Sequence, residues 1–177
     1  LIESNEAALN MVVDHLSHGE SKAVYKNTTL DLRRYKRLEM FVHANAFAQN
    51  ATALTDNELA VFIRLGSDYR NNYYEYQIPL RLTPAGRYHL NVPADRQAVW
   101  PIENMLDISL SVFTDLKRQR NIAKAQGLAS FTSAYSDYDA EHPANLMTIM
   151  GNPSLGEVRT IMIGVRNLST GSKSGEV

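Results

Sequence analysis

Between residues 56 and 83 the chain alternates apolar and polar side chains in two runs. In residues 59–65, Leu59, Val61, Ile63 and Leu65 fall on one face, with Ala60, Phe62 and Arg64 on the other. In residues 73–82, Tyr74, Tyr76, Ile78, Leu80 and Leu82 share a face, and Tyr73, Glu75, Gln77 and Arg81 oppose them. Successive side chains of a strand point to opposite faces, so a period of two marks a half-buried strand. Gly66 to Asn72 between the runs is rich in Gly, Ser, Asp and Asn, the residues that tolerate or stabilise turns. The pattern predicts a central β-hairpin.

The rest of the chain is read the same way. Residues 9–16 predict a first strand and residues 22–26 a second, joined by His18-Gly19-Glu20-Ser21 into a hairpin over 9–26. Residues 27–34 are polar and irregular, with Leu30 and Leu32 turned inward. Residues 36–46 alternate again, placing Leu38, Met40, Val42 and Ala44 on one face. Residues 47–56 read as a polar loop. Residues 83–101 hold three of the six prolines and the single tryptophan, Trp100, and read as a loop or sheet edge, since proline cannot donate to a ladder. A strand is predicted over 105–110. A helix follows from about 112 to 125 and stops at Gly127, because DLKRQRNIAKAQ favours helix and glycine suits a helix end. Residues 127–145 are a loop, 147–150 a short strand, 151–157 a turn and 159–167 a strand with Ile161, Ile163 and Val165 on one face. Residues 168–177 are polar and Gly/Ser-rich, a flexible tail or the start of a further strand. Six to eight strands and one helix over residues 1–167 predict a mainly β domain, a two-layer antiparallel β-sandwich.

Composition narrows the partners. The 177 residues carry 18 basic and 19 acidic side chains, a net charge of −1, which disfavours nucleic acid or an anionic membrane as the main partner. The absence of cysteine excludes disulfides, thiolate nucleophiles and Cys-ligated zinc. No apolar run approaches the roughly 20 residues of a membrane-spanning helix, and no signal peptide is visible. The first residue is Leu, which suggests a processed or excised chain.

Candidate chemistry is sparse. His15, His18, His43, His89 and His142 form no HExxH or HxH pair. There is no GxSxG, phosphate-binding loop or dinucleotide fingerprint. Asp68 and Glu75 approach one another across the predicted hairpin, but turn aspartates more often bind their own backbone than pair for catalysis. Asp56 with Glu58, and Asp137 with Asp139, offer oxygen ligands for calcium without EF-hand spacing. The basic cluster Arg33, Arg34, Lys36 and Arg37 around Tyr35 reads as a solvated segment before a strand. Among the tyrosines, Tyr74 and Tyr76 belong to the core face, whereas Tyr69 and Tyr73 are freer. With Trp100 they are the candidate contacts for a partner or glycan. No catalytic residue, cofactor or metal is assigned, and the chain is expected not to be an enzyme. Asn27-Thr28-Thr29 and Asn50-Ala51-Thr52 match the glycosylation pattern.

Several segments in order carry a family resemblance: NEAALNMVVDHLSHGESKAVYK at 5–26, LDLRRYKRLEMFVHA at 30–44, DNELAVFIRLGSDYRNNYYEYQIPL at 56–80, VWPIENMLDISL at 99–110, LKRQRN at 116–121, GNPSLGEVRTIMIGVRN at 151–167, and the terminal GEV. Together they resemble a segment of the SprA/Sov family, giant outer-membrane proteins of Bacteroidetes associated with gliding motility and type 9 secretion. The resemblance implies a non-catalytic structural or interaction module of a far longer outer-membrane protein, exposed on the periplasmic or extracellular side. Its implied partners are other parts of that protein and secretion-system proteins. The strands do not read as lipid-facing barrel strands, which carry an apolar band of about ten residues bounded by aromatics. A weaker similarity, to jelly-roll modules of the galactose-binding type, implies a carbohydrate-binding alternative, with no ligand residue carried over.

Overall fold

The computed structural model describes residues 8–45, 54–89 and 91–170. In chain order its elements are β1 (Ser21–Leu30), β2 (Arg37–Phe41), β3 (Leu59–Gly66), β4 (Tyr73–Pro79), α1 (Pro93–Val99), β5 (Met105–Ser109), α2 (Ser111–Ala125), β6 (Tyr135–Tyr138), β7 (Leu146–Met150) and β8 (Val158–Asn167). Six strands form one antiparallel sheet in the order β1-β8-β3-β4-β7-β6, and β2 and β5 form a second.

The central hairpin forms in the register that the alternation implies, with Val61 opposite Ile78, Ile63 opposite Tyr76 and Leu65 opposite Tyr74. On its other edge β3 meets β8, with Ile63 opposite Ile163. The inner faces of these strands pack in one hydrophobic cluster with Leu106 and Ile108 of β5, Leu110, and Phe113 and Leu116 of α2, while Leu38 and Met40 of β2 pack against its edge. Phe113 is fully buried, its ring 5.1 Å from Tyr74 and edge-on to Tyr76 at 6.3 Å. Burying one such side chain stabilises by about 1.5–3 kcal/mol, so this cluster is the main source of cohesion. The domain is thus mainly β and two-layered, the large sheet on one side and the small sheet with α2 on the other.

Five readings of the sequence change. Residues 9–16 form no strand: their apolar side chains sit at 9, 11, 12, 13 and 16, a series that does not hold a spacing of two. Val13 and Leu16 are buried while Leu9 and Val12 point outward, and His15 has a positive φ of 54° that breaks the extension. The predicted 9–26 hairpin is therefore replaced by a longer β1 paired with β8. This strand also takes in Leu30, read above as turned inward but 37% exposed. Within 83–101 a short helix, α1, begins with Pro93 at its first turn, where proline's missing N–H is no loss. The loop over 127–145 contains the exposed strand β6. The α2 helix and its stop at Gly127 (φ 76°) lie where the sequence places them. Residues 168–170 are held close, since the Leu168 amide donates to the Glu58 carbonyl at 2.7 Å and Ser169 is buried. The loop over 47–53, the second glycosylation pattern and residues 171–177 lie outside the described residues.

Candidate interaction surface

The outer face of the large sheet departs most from the half-buried expectation. Ala60, Phe62, Tyr73, Glu75 and Gln77 oppose the core-facing residues of β3 and β4, yet all five are buried. Two arginines cover them. Arg64 of β3 lies directly opposite Glu75 of β4 and donates to its carboxylate through Nε; Arg166 of β8 donates to the same carboxylate through Nη1 at 3.0 Å. Arg166 also reaches the Gln77 side-chain carbonyl, and Arg64 Nη1 donates to the Tyr69 carbonyl at 2.8 Å. Both guanidiniums lie against Phe62, at 5.4 Å for Arg64 and 4.7 Å for Arg166 from the ring centre, and Arg64 also covers Tyr73 at 4.2 Å. A cation over a ring face is attracted by its quadrupole, more so when partly desolvated. The cluster carries two positive charges and one negative. Phe62 fits because Gly164 of β8 has no side chain: a Cβ there would lie 2.5 Å from the Phe62 ring.

The loop joining β3 to β4 is fixed by Asp68, whose carboxylate accepts the amides of Arg70 at 2.7 Å, Asn71 at 2.5 Å and Asn72 at 3.3 Å. Burial pushes its pKa up, but those amides outweigh it and leave it below the usual carboxylate range. Asp68 is a turn residue, and Glu75 belongs to the arginines, so neither forms the carboxylate pair considered from the sequence. Tyr69 leaves this loop and stacks on Tyr25 of β1, ring centres 4.8 Å apart.

Of the three candidate contact residues, Tyr69 is half-buried on Tyr25, and Tyr73 is 9% exposed under Arg64. The expectation that Tyr73 is free is thus corrected: its side of β4 is roofed by guanidinium, and burial raises its pKa. Trp100 is 47% exposed and packs near Phe41 at 6.4 Å and His43 at 5.5 Å. Phe41 points outward from the small sheet, so Trp100 and Tyr69 belong to opposite outer faces and form no common platform. The roles of Arg64, Glu75, Gln77 and Arg166 were missed because polar residues at period two read as solvent-facing. Two arginines within otherwise apolar strands were the available signal.

The remaining acidic candidates have structural partners. Asp139 accepts the Tyr76 hydroxyl at 2.5 Å and the Glu141 amide at 2.9 Å, Asp56 accepts the Leu82 amide at 2.9 Å, and Glu58 accepts the Thr55 amide at 2.8 Å. No group of three or more His, Asp or Glu side chains is placed to hold a metal among the described residues. In the basic cluster, Arg33 pairs with Asp31, holding its carboxyl at about 2, and Arg37 pairs with Asp107 at 2.6 Å. A cleft of about 360 Å³ lies between Leu32, Tyr35, Leu110, Lys117 and Leu155. At its wall Lys117 Nζ donates to the Pro153 carbonyl at 2.7 Å, and further along α2 Arg120 Nη1 donates to the Gly151 carbonyl at 2.6 Å. Tyr74 donates to the same Pro153 carbonyl at 3.1 Å. Burial lowers the pKa of both cations.

This is a two-layered, mainly β module whose outer surfaces are organised by aromatic and guanidinium packing. It belongs to the SprA_N family, described as motility related/secretion protein, whose model matches residues 1–177. Among curated proteins nothing matches the chain. No helix among the described residues is long and apolar enough to cross a membrane.

Proposed function

We propose that the chain is a non-catalytic structural and interaction module of a very large cell-surface protein of the outer membrane, working in type 9 protein secretion and gliding motility. Its partners are other parts of that protein and secretion-system proteins. The observation that carries the reading is the Arg64–Glu75–Arg166 cluster: its charges are spent on one another and on Phe62 and Tyr73, which stiffens a broad sheet face. Groups so committed support a surface, whereas an acid or base needs a proton it can exchange with a substrate. Membership of a motility and secretion family supports the same reading.

A second reading, glycan recognition, is favoured by one patch. Phe41 is 63% and Trp100 47% exposed, close together on the small-sheet side. The test is a pull-down with the chain as bait from a surface-protein extract, with and without deglycosylation. Capture of secretion-system proteins that survives deglycosylation supports the interaction module. Capture lost on deglycosylation and on Trp100→Ala transfers the function to glycan recognition. Capture of nothing overturns a role in recruiting partners.

A further inference from the structure

We propose that β1 is a docking edge that accepts one more strand, supplied by a segment of another polypeptide that carries, on one face, an apolar residue flanked two positions away on each side by a carboxylate. This deepens the interaction-module reading and rests on it.

Among the described residues β1 pairs only with β8, and nine of its ten residues are exposed. In an antiparallel strand alternate residues turn their N–H and C=O to opposite sides, so one side of β1 presents a row of unused backbone donors and acceptors. A strand from a partner can continue the sheet there, backbone bonds giving affinity and alternate side chains giving specificity.

The side chains define the guest. Lys22, Val24 and Lys26 stand opposite Val165, Ile163 and Ile161. Those three are partly buried against the core, so its apolar stripe runs out beneath β8 and ends at Val24, 45% exposed between two lysines. Lys22 meets Glu20 at 2.9 Å in an exposed pair, an interaction of little strength and easily exchanged. Lys26 has no ion-pair partner among the described residues. A guest strand with an apolar residue beside Val24 and carboxylates beside the lysines satisfies all three. On the other face Tyr25, held by Tyr69, gives the edge a fixed aromatic flank. Regular pairing lasts from Ser21 to Asn27, where the register shifts, which sets a guest of about seven residues.

The alternatives fit less well. A second copy pairing antiparallel about Val24 sets Lys22 against Lys26 twice, and like charges directly opposite destabilise. The opposite edge, β6, has four residues and an aspartate, Asp137. Lysines on an edge also guard against unwanted pairing; they repel basic strands and attract acidic ones, so the charge of the guest separates the two roles.

The test uses the 177-residue chain and the seven-residue peptide Thr-Glu-Thr-Val-Thr-Glu-Thr, whose two glutamates and valine share one face of a strand, with Thr-Lys-Thr-Val-Thr-Lys-Thr as control. Amide hydrogen exchange is followed at residues 21–27. The expected result is protection of β1 by the acidic peptide only, with affinity reduced at least about tenfold in Lys22→Glu/Lys26→Glu, which then prefers the basic peptide. Both substitutions lie on exposed side chains, so thermal melting confirms an intact fold. Equal protection by both peptides, protection by neither, or protection that follows self-association overturns the proposal. If the pull-down captures secretion-system proteins while β1 stays unprotected, the interaction reading stands and only this edge assignment falls.

Discussion

Tyr69 and Tyr25 stack with ring centres 4.8 Å apart and planes 32° from parallel, so the turn of the central hairpin clasps the strand at the sheet edge two strands away. Tyr69→Ala removes the stack while leaving the Arg64 contact with the residue 69 carbonyl in place. The expected loss is about 0.5–1.5 kcal/mol. It appears in denaturant unfolding and as faster hydrogen exchange at residues 21–27.

Glu75 is the single anion between two guanidiniums. Glu75→Gln leaves both without a counter-charge on a face where their side chains are only 21% exposed, and is expected to cost about 1–3 kcal/mol. Replacing Arg64, Glu75 and Arg166 together by Met, Leu and Met costs less than Glu75→Gln alone, because buried ion clusters repay little more than their desolvation. Urea unfolding of the two variants decides it. A triple variant that is the less stable would mean the charges themselves stabilise the fold.

Gly164→Ala places a methyl 2.5 Å from the Phe62 ring, 2.6 Å from the Ala23 side chain and 2.7 Å from the Lys22 carbonyl. Overpacking of this kind costs about 1–3 kcal/mol. Two of the three clashing atoms belong to β1, so Phe62→Ala in the same chain is expected to restore only part of the stability, measured by thermal melting.

Two hydroxyl partnerships set the pH range. Burial raises the Asp139 pKa, but the Tyr76 hydroxyl, the Glu141 amide and His142 outweigh it and hold the carboxyl below its ordinary value. A lowered carboxyl contributes stability above the unfolded pKa of about 4 and loses it as pH falls through the folded value. Asp139→Asn is therefore expected to flatten the acid limb of a stability–pH curve. Burial pushes Tyr74 up to about 12, and burial followed by Asp139 raises Tyr76 further. Raised phenols contribute fully below about 10 and lose that contribution as pH climbs through the folded value. Tyr74 and Tyr76 are expected to ionise only together with alkaline unfolding, followed by ultraviolet phenolate absorbance.

Ile63 and Ile78 are 4% and 1% exposed. Ile63→Ala or Ile78→Ala is expected to cost about 2–5 kcal/mol, read by urea unfolding.

The central hairpin, β2, β8 and α2 were legible because each carries an uninterrupted apolar period on the face that packs against the core. Residues 9–16 misled because apolar content is high while its spacing serves an irregular segment that buries only Val13 and Leu16. Strand β6 was hidden because only Tyr135 of its four residues packs against the core and the other three are exposed, so no alternation marks it. The outer face of β3 and β4 was legible as a row of residues but not as a site. A polar side chain facing water and one facing two arginines from other strands have the same spacing, and Arg166 lies 91 residues from Glu75 along the chain. Tyr73 was misplaced for the same reason, its cover being Arg64.

The helix reaches the turn over 151–156 through Lys117 and Arg120, and both hold carbonyl oxygens of the main chain. A carbonyl does not titrate and cannot be substituted away, so this latch follows the path of the turn rather than its spelling. Asn152 and Ser154 can therefore vary while the latch holds. Gly151 cannot, because its φ of 70° and the Asn71 carbonyl 2.0 Å from where a Cβ would sit define the path itself.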